Sequence, residues 1–318
     1  MSSVASLFGE PLAVARPLSW LVVAAFLAAG VLESRDRGRA RVVGAVAWGL
    51  FAAFWLVLVP HFVFTQKSIV EGIGSIAAVP LSAYAGYRLY LGRDSLFVLT
   101  RAVGIMGLLY LPFSYLPFVA ANPARQFLVE TVTAQTNLLL NAIGVEPTLV
   151  RGDGGYLNMF VFPGNIRPIT YSIIIACTGV GSMSIVAGLV LAVRAPLRRK
   201  ARALAVSLPV IYVLNLLRNV FIATAFGQQR MQWFVDEITT AFGTSDPQMV
   251  SYYISDRLLG QFGSVIALVI IMWLIVRELP EVLDVVEDVL YLATGTEYDL
   301  SAAIDSPSAR ADGGDQAK

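Results

Sequence analysis

Residues 171–193 read YSIIIACTGVGSMSIVAGLVLAV and hold Cys177, the only cysteine of the 318-residue chain. About 20 apolar residues rising ~1.5 Å each cross the ~30 Å hydrocarbon core of a bilayer, so the stretch predicts a transmembrane helix with Cys177 a turn or two from its first end. Cys177, Gly181, Ser184 and Gly188 recur at helical spacing on one face. Such a small-residue face suits either the close approach of a second helix or a site holding one thiol.

The rest of the chain has the same character. It is 57% hydrophobic and 14% charged, with a mean hydropathy of +0.69, whereas soluble domains are about 25% charged. Apolar windows at 17–33, 42–64, 69–91, 96–119, 171–193, 203–226 and 258–279 predict an all-α, polytopic membrane bundle of about seven transmembrane helices. Pro80 and Pro112 fall inside spans, where a kink is tolerated if neighbours satisfy the freed carbonyls. A net charge of +1 removes the basic surface that nucleic acid requires. One cysteine and one histidine, His61, leave no disulfide framework and no Cys- or His-rich metal site. Neither a metal nor an organic cofactor is expected.

Arg35, Arg37, Arg39 and Arg41 follow the first span, Arg88 and Arg93 the third, and Arg194, Arg198, Arg199, Lys200 and Arg202 the fifth. Basic loops stay cytoplasmic, so the N-terminus is expected outside, the C-terminus in the cytoplasm, and loops 120–170 and 227–256 outside. The first span lacks a basic leader and reads as a retained anchor. Loop 120–170 opens with a helical pattern, Leu128, Val132, Leu139 and Ile143 with Phe127 and Leu138 beside them, which suggests an amphipathic helix at the outer interface. The adjoining VRGDGGYLNMFVFPGN alternates and carries Gly and Pro breaks, as a short hairpin would. The chain thus divides into a membrane domain over 1–280 and an acidic cytoplasmic tail over 281–318. The tail begins with the amphipathic EVLDVVEDVLYL and ends too polar to fold.

Arg218 lies in the interior of the sixth span, flanked by Asn215 and Asn219. An arginine at mid-membrane costs about 2.5–3.5 kcal/mol on insertion scales, which makes it a functional candidate. Arg257 opens the seventh span beside Asp256, with Gln261 and Ser264 on the same helical face and Gly260 nearby. Cys177 and Arg218 both fall roughly 9–12 Å below the outer ends of their helices. A thiol and two guanidiniums can therefore converge in one outward-opening pocket. The grouping matters because the thiolate is the nucleophile and a cation beside it favours ionisation. At ~4 Å and an effective dielectric of ~20 a unit charge is worth about 4 kcal/mol, before desolvation is subtracted.

The blocks ACTGVGSM around Cys177, LNLLRNVFI around Arg218 and DRLLGQFGSVIAL around Arg257 resemble the signature blocks of the exosortase/archaeosortase family of polytopic cysteine transpeptidases. The likeness covers about 171–280, and the first four spans agree in hydropathy only. Exosortases usually carry His at the third position. Arg257 fits the archaeosortase branch and removes the obvious general base. The resemblance implies that Cys177 is the nucleophile of a cysteine peptidase/transpeptidase and that Arg218 and Arg257 activate it or stabilise the oxyanion. Asn215, Asn219, Asp256 and Gln261 would support them. It also implies the partners: surface proteins such as S-layer glycoprotein, bearing a C-terminal Pro-Gly-Phe motif, a membrane helix and basic residues, and a phospholipid as acyl acceptor.

Other classes use the same residues. A transporter or anion-conducting protein would employ Arg218 and Arg257 as an anion site and tolerate Cys177→Ala, and a lipid-headgroup transferase using the same arginines would leave every protein's length unchanged when the gene is deleted. A serine protease would need Ser182 and His61 together, and His61 could instead serve as a base for Cys177.

Overall fold

The computed structural model describes residues 11–116, 122–152, 154–164, 167–300 and 302. Helices α1 (Pro11–Glu33), α2 (Arg37–Pro60, extended by a π turn His61–Thr65), α3 (Ile69–Tyr90) and α4 (Leu96–Ser114) form the first half. Helix α5 (Pro123–Ala142) leads into strands β1 (Thr148–Arg151), β2 (Leu157–Phe162) and β3 (Ile169–Ser172). Helices α6 (Val180–Ala192), α7 (Leu197–Gly227), α8 (Val235–Phe242), α9 (Pro247–Glu278) and α10 (Leu283–Thr294) complete it.

Six of these helices are long and apolar enough to cross a membrane, and α6, with 13 residues, is a shorter apolar one. Side chains such as Leu21, Val46, Leu56, Ile73, Ile266 and Trp273 point outward and are exposed. An apolar exterior of this extent requires lipid around it, so the chain is a multi-pass membrane protein. The seven apolar helices match the seven windows. Pro80 lies within α3 and Pro112 within α4, neither ending its helix, and Asn122 Nδ2 donates to the Pro112 carbonyl at 2.7 Å.

Close packing through small residues holds the spans together, as expected where lipid tails offer no hydrophobic contrast. A Cβ on Gly44 would lie 2.6 Å from Leu89, and one on Gly86 would lie 2.9 Å from Trp48, so α2 and α3 meet there. Gly107 faces Val23 in the same way between α4 and α1. A Cβ on Gly188 would come within 2.7 Å of the Ala102 carbonyl, which seats α6 on α4. The small-residue face of the quoted stretch is thus a packing seam from Gly181 onward.

The seam begins later than expected, and this corrects the reading of 171–193 as one helix. Residues 169–172 are a strand, Ile175–Thr178 form a 3-10 turn, and the helix starts only at Val180 after Gly179 at φ +77°. The β-branched run Ile173-Ile174-Ile175 is apolar but disfavours helix. Its approach is held extended by pairing with β2, Phe160 opposite Tyr171 and Phe162 opposite Ile169. The expected hairpin is present as β1 and β2, antiparallel, and β3 adds an unforeseen third strand.

The sheet packs on α5 and on the end of α7. Phe160, Phe162, Ile169, Tyr171 and Ile173 share one core with Val129, Val132 and Leu140 of α5 and with Ile222 and Phe226 of α7. Helix α5 is capped by Asn122, which accepts from Arg125 N at 3.0 Å. Its buried stripe is Val129, Val132, Thr133, Thr136 and Leu140, and Phe127, Leu138 and Ile143 point outward. At the opposite end the basic loops gather in ion pairs, Arg41 with Asp94, Arg93 with Asp288 and Glu297, Arg101 with Glu33, Arg199 with Glu281, and Arg202 with Glu278. Helix α10 continues the expected amphipathic turn to 12 residues and lays Tyr291 and Leu292 against the α2–α4 core. The remainder of the tail, 303–318, lies outside the described residues.

Candidate active site

Three elements meet around Cys177: the 3-10 turn that carries it, the middle of α7, and the first part of α9. The turn is fixed through its main chain. Asn215 Nδ2 and Asn219 Nδ2 both donate to the Cys177 carbonyl, at 2.6 and 2.7 Å. Two donors on one carbonyl, four residues apart on one helix face, lock the turn onto α7. Gly179 makes the fit possible, because a Cβ there would stand 3.2 Å from Asn215 in a backbone conformation that side chains rarely adopt. The asparagines therefore do more than surround Arg218 with polar groups.

Arg218 Nη2 donates to Asp256 Oδ1 at 2.5 Å, and Arg257 Nη1 stands 3.5 Å from Asp256 Oδ2. One carboxylate, 7% exposed, thus holds two guanidiniums. Arg257 also lies over the Tyr252 ring at 5.3 Å and its side chain is 12% exposed, so it is enclosed and not a solvated residue at a helix mouth. Both Arg218 Nε and Arg257 Nε are buried without a partner among the described residues. Such donors normally find an acceptor. Two unfilled N–H groups of this kind can receive an anionic or carbonyl oxygen.

The backbone beneath them is irregular. Residues Tyr253–Gly260 form a π turn, and Gly260 is required where a Cβ would meet the Ser255 carbonyl at 2.9 Å and Arg218 Nε at 3.2 Å. π turns inside helices are frequent at functional sites. The three residues expected on one face, Arg257, Gln261 and Ser264, have different partners here. Gln261 instead donates to Ser68 Oγ at 2.6 Å and accepts from Val70 N at 3.1 Å, tying α9 to the start of α3. Ser264 bonds back to the Gly260 carbonyl.

The thiol of Cys177 interacts electrostatically with Arg218 and Asp256 and faces the phenol of Tyr171. The phenol of Tyr252 likewise faces Asp256. Neither tyrosine stands out in the sequence. The only signal is an aromatic hydroxyl close in sequence to a candidate, six residues before Cys177 and four before Asp256. A groove of about 340 Å³ between α6, α7 and α9 is lined by Gly179, Asn215, Arg218 and Gly260 at its polar part and by Leu268 and Ile271 below. Ser182 lines it too, whereas His61 lines a different cavity between α1, α2 and α4.

A curated relative named Archaeosortase A from Haloferax volcanii is 51% identical over 288 residues, 89% of this chain and 95% of the relative. A second Archaeosortase A, from Natronomonas pharaonis, is 42% identical over 281 residues, 86% of this chain and 87% of the relative. No solved structure matches. The family model described as Transmembrane exosortase matches residues 16–245, a stretch that includes Cys177 and Arg218 and ends before Arg257, and the chain belongs to the transmembrane exosortase family.

Proposed function

We propose that this chain is a membrane-embedded cysteine transpeptidase that removes the C-terminal sorting signal of surface proteins and joins the new carboxyl end to a lipid. The name archaeosortase A, carried by both relatives, supports a protein-sorting enzyme. The observation that carries the reading is the pinned turn: the Cys177 carbonyl is clamped by Asn215 and Asn219 while its thiol lies within electrostatic reach of both Arg218 and Asp256. A buried lone cysteine that merely fills space needs neither.

In this reading the Cys177 thiolate attacks the scissile carbonyl carbon. The C–N bond breaks, the departing amine takes a proton from water, and a thioacyl enzyme remains. A lipid headgroup amine then attacks the same carbon, loses its proton to water and expels the thiolate. Arg218 balances the thiolate, and the unfilled Nε–H groups of Arg218 and Arg257 donate to the oxygen that gains charge. Asp256 keeps both arginines in place until substrate oxygen competes for them. The substrates are secreted proteins such as S-layer glycoprotein, whose signal combines a Pro-Gly-Phe motif, a membrane helix and basic residues. The collection of basic loops at the far end of the bundle supports a site on the outer side, with the C-terminus in the cytoplasm.

The test is the intact mass of a surface protein from cells with the wild-type chain, with none, and with Cys177→Ser. The serine is nearly isosteric but barely ionises beside arginine, so processing should be lost at unchanged membrane level and melting temperature. Processing by Cys177→Ser or Cys177→Ala at a substantial rate overturns the assignment.

A further inference from the structure

The second cavity, between α1, α2 and α4, takes no part in the chemistry above. It measures about 350 Å³, within the usual range for small-ligand pockets. Its interior is formed by Val22, Val23, Phe51, Val103 and Met106, and among the described residues no carboxylate lines it. Dry cavities of this kind accept apolar chains more readily than water. Of the polar residues that line it, Arg16, His61, Ser114 and Tyr115 stand near helix ends on the side of the bundle that carries the sheet, while Ser19 and Tyr110 lie further in.

Arg16 is the informative residue. At the other end of the molecule Arg41, Arg93, Arg101, Arg199 and Arg202 are all paired with carboxylates. Arg16 has no acidic partner among the described residues; its guanidinium lies over the Tyr115 ring at 5.7 Å, which fixes its place and leaves its N–H fork open. A planar fork of donors at a membrane interface matches a phosphate. The floor of the cavity is closed where Gly107 lets α4 touch Val23. On its far side Tyr110, part of the same wall, is the nearest neighbour that a Cβ on Gly181 would meet, at 3.9 Å. The cavity therefore adjoins the start of the helix that comes after Cys177.

We propose that this cavity binds one membrane phospholipid, its phosphate on Arg16 and one chain among Val22, Val103 and Met106. The site is separate from Cys177 and stands whether or not that residue is a nucleophile.

Native mass spectrometry of the full-length chain, purified in a neutral maltoside detergent, tests this with dioctanoyl phosphatidylglycerol, dioctanoylglycerol and octanoate as probes. The wild type should retain one phosphatidylglycerol per chain and bind the phosphate-free lipid at least tenfold more weakly. Arg16→Gln, at an exposed position, should weaken phosphatidylglycerol about tenfold, Arg16→Lys less, and Val103→Phe should exclude the chain. Equal binding of the two lipids, binding unaffected by Arg16→Gln, or octanoate bound as tightly as phosphatidylglycerol overturns the proposal. If Val103→Phe does not fold, the Arg16 comparison decides alone.

Discussion

Replacing Asp256 by Asn should make the protein less stable and its thiol more reactive. The carboxylate is held by Arg218 at 2.5 Å and faced by Arg257 at 3.5 Å, with side-chain exposures of 24%, 12% and 10% for Arg218, Arg257 and Asp256. Stripping one partner from a buried ion pair costs about 3–5 kcal/mol, and the partial exposure of Arg218 puts this case toward the lower figure. The thiol feels the opposite effect, because a negative charge leaves its neighbourhood and Arg218 is freed to balance a thiolate. A unit charge near a thiol at an effective dielectric of ~20 is worth a few kcal/mol, so its removal should lower the midpoint of alkylation by roughly one to two pH units. The assay is the rate of Cys177 alkylation against pH in detergent, beside a thermal melt of the same sample. The variant should alkylate at lower pH and melt at lower temperature. A midpoint that stays in place or moves up refutes the idea that Asp256 holds Arg218 away from the thiol.

Three other outcomes rest on the same geometry. Asn219→Ala removes one of two donors to the Cys177 carbonyl and should cost about 1–1.5 kcal/mol of stability while lowering processing more than membrane level, read by melt and by reporter cleavage; an unchanged processing rate would show that the clamp is idle. Gly188→Ala sets a methyl against the Ala102 carbonyl and the Met106 main chain, neither of which is a flexible side-chain end, so α6 must lift from α4 and the melting temperature fall, whereas Gly263→Ala meets open space and should be silent. For orientation, in a Cys177→Ala background a cysteine at Gly154 should react with impermeant maleimide in intact cells and one at Leu197 should not, and the reverse pattern would turn the molecule over in the membrane.

Hydropathy carried the seven apolar helices, because crossing a membrane demands long apolar runs whatever their packing. It failed at Ile173-Ile174-Ile175, which is as apolar as a span but is shaped by β-branching and by the pairing of the strand before it with β2. Cys177, Arg218 and Arg257 stood out because polar or reactive groups at such depths are costly. Their effect on one another was hidden. Asp256 stood out only as the neighbour of Arg257, yet within the π turn at Tyr253–Gly260 it pairs with Arg218 as well. That turn is set by tertiary contact at Gly260 and has no periodicity to read. The asparagines were legible as polar neighbours of Arg218, but their target is a main-chain oxygen, which leaves no mark in a sequence.

The shortness of α6 bears on the bilayer itself. Its 13 residues rise about 20 Å, against a hydrocarbon core of about 30 Å. Membranes answer such a mismatch by thinning around the short element, at a cost of fractions of a kcal/mol per ångström. Headgroups near Gly179 are then drawn down toward the level of the 3-10 turn, and water comes with them. Groups that would otherwise have to descend through hydrocarbon to meet a thiol find the interface dipping to meet them.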